Sequence, residues 1–128
     1  MTDFTPITRS TVHDIKAVLG DAGWKAADDS PKHLEDPRGR FHGQSALVAQ
    51  PASVEEVSRI VTICNQNRVA IIPYSGGTGV VAGQLSIGSA EAVTVSLERM
   101  NRVREVSVAD SVLVAEAGRI LEDIHHAA

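Results

Sequence analysis

The residues with the most obvious chemical potential are Pro73-Tyr74-Ser75-Gly76-Gly77-Thr78-Gly79-Val80-Val81-Ala82-Gly83. This run follows the apolar stretch Val69-Ala70-Ile71-Ile72 and crowds glycines and hydroxyl side chains together. Glycine accepts positive φ and lacks the Cβ that keeps a ligand at a distance, so successive N–H groups can converge on one oxygen-rich group. The composition therefore points to an anion cradle formed by backbone. A glycine-rich turn with no ligand is the plain alternative, and its backbone-entropy cost of up to about 1 kcal/mol per glycine argues against it.

Three phosphate-binding designs compete for such a loop. A P-loop needs Gly-Lys-Ser/Thr opening a helix, and no lysine follows Tyr74. Gly77-Thr78-Gly79-Val80-Val81-Ala82 does satisfy G-x-G-x-x-A, with Glu98 near the spacing of an acidic ribose ligand. That fingerprint must open a crossover helix, yet Gly83, Gly88 and Ser89 interrupt the segment and a new strand is due at Ala92. What remains is a loop that holds a diphosphate with its own N–H groups, helped by the Ser75 and Thr78 hydroxyls.

The elements that position this loop can be read from either side. Val12, Ile15, Val18 and Leu19 fall on one face of a helix over residues 10–20, with Ser10 or Thr11 as cap and Gly20 or Gly23 as stop. Residues 24–44 carry Trp24, two prolines and many charges without a period, which predicts an ordered but irregular approach segment. His33 and His42 lie in it and read as surface or hydrogen-bonding residues rather than metal ligands.

Ala46-Leu47-Val48-Ala49 predicts a strand ended by Pro51. Ser53-Val54-Glu55-Glu56 is a capping box contributing about 1 kcal/mol. The helix it opens runs to about Asn67, with Val54, Val57, Ile60, Val61 and Cys64 facing the core and Glu55, Arg59 and Gln66 facing water. Residues 69–72 form the next strand. Strand, helix and strand at this spacing predict a right-handed βαβ unit, so the glycine loop leaves the carboxyl end of a strand. Residues 92–97 are a further strand, and 103–108 with 112–117 a hairpin around Ala109-Asp110-Ser111. Ile120, Leu121 and Ile124 begin a last helix. The fold class expected is α+β built on α/β logic: a βαβ unit with parallel strands, a further strand and a hairpin.

Whole-chain properties narrow the function. The 128 residues are 43% hydrophobic and 22% charged, the size and composition of one globular domain. A net charge of −4 gives no reason to expect nucleic acid as partner. The apolar runs are too short for a spanning helix, and Met1-Thr2-Asp3-Phe4 does not read as a leader, so the expected location is cytoplasmic. Cys64 is the lone cysteine and belongs to the core rather than to catalysis. His125 and His126 are adjacent on a helix and diverge by about 100°, too far to face one substrate atom.

Gly43-Gln44-Ser45, the stretch from Pro51 to Val57, Cys64-Asn65, the glycine run, Leu97-Glu98-Arg99-Met100-Asn101 and Val114-Ala115-Glu116-Ala117-Gly118 together resemble the FAD-linked oxidase family. This is the vanillyl-alcohol oxidase and para-cresol methylhydroxylase type. Its D-2-hydroxyacid dehydrogenase branch, with D-2-hydroxyglutarate and D-lactate dehydrogenases and the glycolate oxidase FAD subunit, is the most similar.

The resemblance covers about residues 40–126 and implies the first subdomain of a PCMH-type FAD-binding fold. By it, Pro73, Tyr74, Ser75, Gly76, Gly77, Thr78, Gly79 and Val80 hold the FAD diphosphate, Gly83 and Gln84 line its far side, and Gly118 permits close approach of the flavin. Three residues depart from the family pattern. Ser75 and Ala82 replace glycine, and Gly77 replaces the asparagine of the hydroxyglutarate branch; Ser75 would be strained if its position needs positive φ.

The resemblance further implies a division into a lead segment, 1–44, and a sheet with the diphosphate loop, 45–128. The rest of the FAD domain and a substrate domain for a small 2-hydroxyacid would be absent from this chain, which would carry no catalytic residue. Such a fragment is expected to be inactive alone and to hold FAD weakly or not at all. The alternative reading is a stand-alone, non-catalytic nucleotide- or phosphate-binding module; a self-associating structural fragment is a third reading.

Overall fold

A computed structural model describes residues 4–89 and 91–127. The readings placed on Met1, Thr2, Asp3 and Ala128 lie outside these residues. Helix α1 spans Arg9–Leu19. Its cap is Thr8, whose hydroxyl accepts the Thr11 N–H at 3.1 Å, rather than Ser10 or Thr11. Thr11 is instead buried in the first turn and bonded to the Thr8 hydroxyl at 2.9 Å. Ile15 and Leu19 face the core, and Gly20 closes the helix at φ 66 by donating to the Lys16 carbonyl.

The segment after α1 is irregular, as expected, but begins with a short strand, β1 (Trp24–Lys25). A 3-10 turn at Pro31–His33 and a Glu35–His42 bridge follow. Asp36 organises this stretch, since its buried carboxylate accepts the N–H groups of Arg38, Arg40 and Phe41.

Strands β2 (Leu47–Ala49), β3 (Ile71–Tyr74) and β4 (Val93–Ser96) join β1 in one sheet ordered β1-β2-β4-β3. β1 runs antiparallel to β2, whereas β2 and β3 both run parallel to β4. The two strands of the expected βαβ unit are therefore parallel but not adjacent, because β4 lies between them. Burial explains this placement. Every residue of β4 is buried, as befits a central parallel strand, and its polar Thr94 is satisfied by the Ser45 hydroxyl at 3.1 Å. β3 starts two residues later than expected, so Pro73 and Tyr74 belong to the strand. Proline is tolerated there because β3 is an edge strand.

Helix α2 (Val54–Gln66) connects β2 to β3. The Ser53 hydroxyl accepts the Glu56 N–H at 3.2 Å, but the Glu56 carboxylate reaches the N–H of Ala52 rather than that of Ser53. Ile60 and Cys64 are fully buried, while Val54 and Val61 are exposed at 53% and 46%. At about 100° per residue those two valines sit on the flank of the stripe centred between Ile60 and Cys64. Burial pushes the Cys64 thiol up to about 11, consistent with a core residue. The core gathers Ile15, Leu19, Leu47, Ala49, Ile60, Cys64, Val69, Val93 and Val95.

β5 (Val103–Ser107) and β6 (Val112–Ala115) form a separate antiparallel hairpin, followed by α3 (Leu121–Ala127). No described helix is long and apolar enough to cross a membrane.

Candidate functional site

The glycine loop emerges from the carboxyl end of β3 and leads, without any helix among its described residues, through 75–92 to β4. A conventional dinucleotide crossover is thus ruled out by geometry as well as by spacing.

Donors from outside the loop occupy several of its carbonyls. Gln84 Nε2 donates to the Gly79 carbonyl at 2.8 Å and makes a longer 3.5 Å contact to that of Gly77. Arg40 donates to the Val80 carbonyl at 3.0 Å, and the Leu85 N–H to that of Ala82 at 3.1 Å. Among the described residues, no backbone N–H of 75–83 donates to a protein acceptor. Tying back the acceptors leaves a run of donors for an external group.

Each departure from glycine can be placed. Ser75 does not adopt positive φ, and its hydroxyl donates to the Ala117 carbonyl at 2.5 Å, latching the loop to the chain beyond the hairpin. The left-handed residue is Ala82, buried at φ 59, where glycine would be unstrained. Gly77, at φ 67, turns beneath the Tyr74 hydroxyl, which a Cβ would approach to 2.0 Å.

The loop borders a cleft of about 680 Å³. Tyr74, Ser75, Gly76, Thr78 and Gly118 lie on its wall, together with Lys32, Glu98, Asn101 and residues 119–123. Pro73, Gly77, Gly79, Val80, Gly83 and Gln84 fall outside that wall. A Cβ on Gly76 would meet no protein atom within 4 Å and would only intrude on the cleft. Gly118 has a packing reason of its own, because a Cβ there would lie 1.8 Å from the Leu97 carbonyl oxygen. The open donors and the bare Gly76 wall fit a diphosphate.

Behind the loop sits a polar cluster that sequence reasoning missed. Glu98 accepts Lys32 Nζ at 2.5 Å on one oxygen, and His33 Nε2, Gln50 Nε2 and the Ser96 hydroxyl, each at 3.0 Å, on the other. Desolvation alone would raise the Glu98 carboxyl, but the bonds from Lys32, His33 and Ser96 outweigh it and hold it down at about 2. His33 is fully buried, which lowers its pKa against the opposing pull of Glu98. Facing a carboxylate, its Nε2 is the donor, and its ring meets Tyr74 edge-on at 4.7 Å. The expectation of a hydrogen-bonding histidine holds at His33, although as a buried residue. No local pattern marks Lys32 or His33, whose partners lie more than sixty positions away at Glu98. Glu98 did carry a signal, its ribose-ligand spacing, but tertiary packing gives it a different task. His125 and His126 are both exposed on α3.

Residues 45–128 match the FAD binding domain family model, and the chain belongs to this family. FAD is accordingly the cofactor of the fold. Among its relatives is D-2-hydroxyglutarate dehydrogenase, mitochondrial, of Arabidopsis thaliana, 32% identical over 125 residues, covering 94% of this chain and 22% of that protein. The chain thus spans under a quarter of that relative's length.

Among solved structures, alkyldihydroxyacetonephosphate synthase superposes with a TM-score of 0.81 at 22% identity, over 98% of this chain and 27% of that one. p-Cresol methylhydroxylase with substrate bound gives 0.72 at 19% identity, over 94% and 25%. These likenesses establish the PCMH-type FAD-binding fold expected from the motifs.

Proposed function

We propose that residues 73–83 bind the diphosphate of FAD in a flavoprotein that oxidises a D-2-hydroxyacid. The observation that carries this reading is the row of backbone donors at 75–83 facing no protein acceptor while the loop's carbonyls are tied back. Gly76 and Thr78 contact the phosphates from the cleft wall, and Gly83 and Gln84 close the far side, Gln84 by fixing the loop's shape. Gly118 keeps the hairpin connection close enough for the flavin to pass.

Bound FAD supplies a two-electron acceptor for the hydride of the substrate α-carbon. This chain's residues bind and orient it, and the groups that meet the hydroxyacid come from sequence outside residues 1–128. The division into a lead segment, 1–44, and a cofactor-binding sheet, 45–128, belongs to the same reading.

The test is a titration of flavin-free protein with FAD, comparing wild type with Gly76→Val. The valine projects into the cleft, and the expected loss is at least about tenfold in affinity, or 1.4 kcal/mol. Unchanged affinity overturns the assignment. ADP and inorganic phosphate titrated in parallel address the simpler phosphate-binding module, whose donor row would saturate with either ligand as readily as with FAD.

Self-association has one supporting feature, the exposed Val106, Val108, Val112 and Val114 of the hairpin. Concentration-dependent sedimentation tests it. The cytoplasmic reading of compartment stands beside a relative named as mitochondrial, and fractionation decides between them.

A further inference from the structure

The glycine loop carries no cation of its own, and no lysine follows it in the sequence. We propose that the tertiary structure supplies one: Lys32 is the loop's cationic ligand, parked on Glu98 and released to the oxygens of a bound diphosphate. This rests on the diphosphate reading above and adds a residue to it.

Four observations carry the assignment. The Tyr74 hydroxyl donates to the Lys32 carbonyl at 3.0 Å across 42 positions, pinning the Pro31–His33 turn to the strand end from which the loop departs. Lys32 then shares the cleft wall with Ser75, Gly76 and Thr78. Its side chain is 60% exposed, and an ion pair so open to water is worth only about 0–1 kcal/mol, so leaving Glu98 costs little. Glu98 tolerates the departure because His33, Gln50 and Ser96 all donate to its other oxygen.

The other cation on the described wall, Arg119, is engaged through both terminal nitrogens, and only its buried Nε lacks a partner. Arg119 donates to the Asn101 carbonyl at 3.2 Å and pairs with Asp123 at 3.6 Å. Lysine also suits the task by its chemistry, being a compact charge on a flexible stem that can serve two anions in turn. Lys32 thereby does for this loop what a lysine inside the loop does in a P-loop, from a turn on a different part of the chain.

Flavin-free protein titrated with FAD tests this directly. Lys32→Gln should weaken binding about tenfold, while Lys32→Arg, which keeps the charge, should stay within about threefold of wild type. Raising the salt from about 0.05 to about 0.5 M should weaken wild type more than Lys32→Gln, because screening acts on the charge that the variant lacks. A Lys32→Gln protein that binds FAD as wild type does overturns the proposal, and so does a loss that arginine fails to rescue or that salt affects equally. Equal thermal midpoints for wild type and variants establish that folding is intact. Gly76→Val in the same titration separates the two readings. If it alone loses affinity, Lys32 is dismissed and the loop stands; if neither variant loses affinity, the diphosphate site itself is misassigned.

Discussion

The four-stranded sheet and the β5–β6 hairpin are both rich in valine, yet different forces hold them. All of β4 is buried between β2 and β3, and apolar packing from α1 and α2 closes over the sheet. The hairpin has no fully buried residue in either strand, and Val108 just beyond β5 is 86% exposed. It is held by polar ties instead. Arg102 and Arg104 donate to the buried Glu116 carboxylate at 2.8 and 3.1 Å, Ser75 latches onto Ala117, and Gly118 fits against the backbone of Leu97 and Met100. The glycine loop leaves β3 at Tyr74, and Ser75, the next residue, latches its start to the chain beyond β6, so both regions meet where the loop begins. Its geometry therefore depends both on the packing of the sheet and on the hydrogen bond that ties it to the hairpin connection.

The largest expected effect falls on the packed side. Ile60→Ala empties a fully buried site and should cost about 3 kcal/mol in denaturant unfolding. A cost below about 1 kcal/mol would mean that the sheet is not the stabilising unit. Gly118→Ala comes next, at about 2 kcal/mol, because the new Cβ must displace the Leu97 carbonyl from 1.8 Å. Hydrogen exchange should show hairpin amides losing protection while those of β4 keep theirs, and a uniform loss would erase the contrast between the regions.

Acid should act on the polar ties. Glu98 and Glu116 are held at about 2 against an ordinary 4.5, Glu116 chiefly by its bond from Arg102, and buried His33 lies below its ordinary 6.5. In each case the folded state binds fewer protons than the unfolded one, so stability should fall as pH drops below 6.5 and again from 4.5 toward 2. Denaturant midpoints measured across that range check the sign. Glu116→Gln should remove the hairpin's share of the lower step, and an unchanged profile would show that the ties are not coupled to folding. The smallest effect is Val108→Ser, expected within about 0.5 kcal/mol because the side chain is already in water. A larger loss, growing with protein concentration, would reveal a partner on the hairpin.

Much of this contrast could not be read from residue types. The helices, the hairpin and the three longer strands of the sheet were legible because period and capping are local, and Ser53 capping α2 is an example. Val54 and Val61 matched the apolar pattern of α2 but face solvent, since a helix stripe has a width that only its neighbour defines. The insertion of β4 between β2 and β3 was also hidden. Adjacency in a sheet is set by which strand can be buried on both faces, and chain order does not encode that directly.

The candidate site divides in the same way. Sequence alone determined that a glycine loop of this length follows a strand, contains no lysine and leaves no room for a crossover helix. Those facts depend on composition and spacing, and with the flanking motifs they pointed to FAD. Only the tertiary structure decided that Gln84 and Arg40 occupy the loop's carbonyls, and that Lys32 and Glu98 stand beside it. Hydrogen bonds between residues tens of positions apart are made by the packed chain, and no local pattern records them.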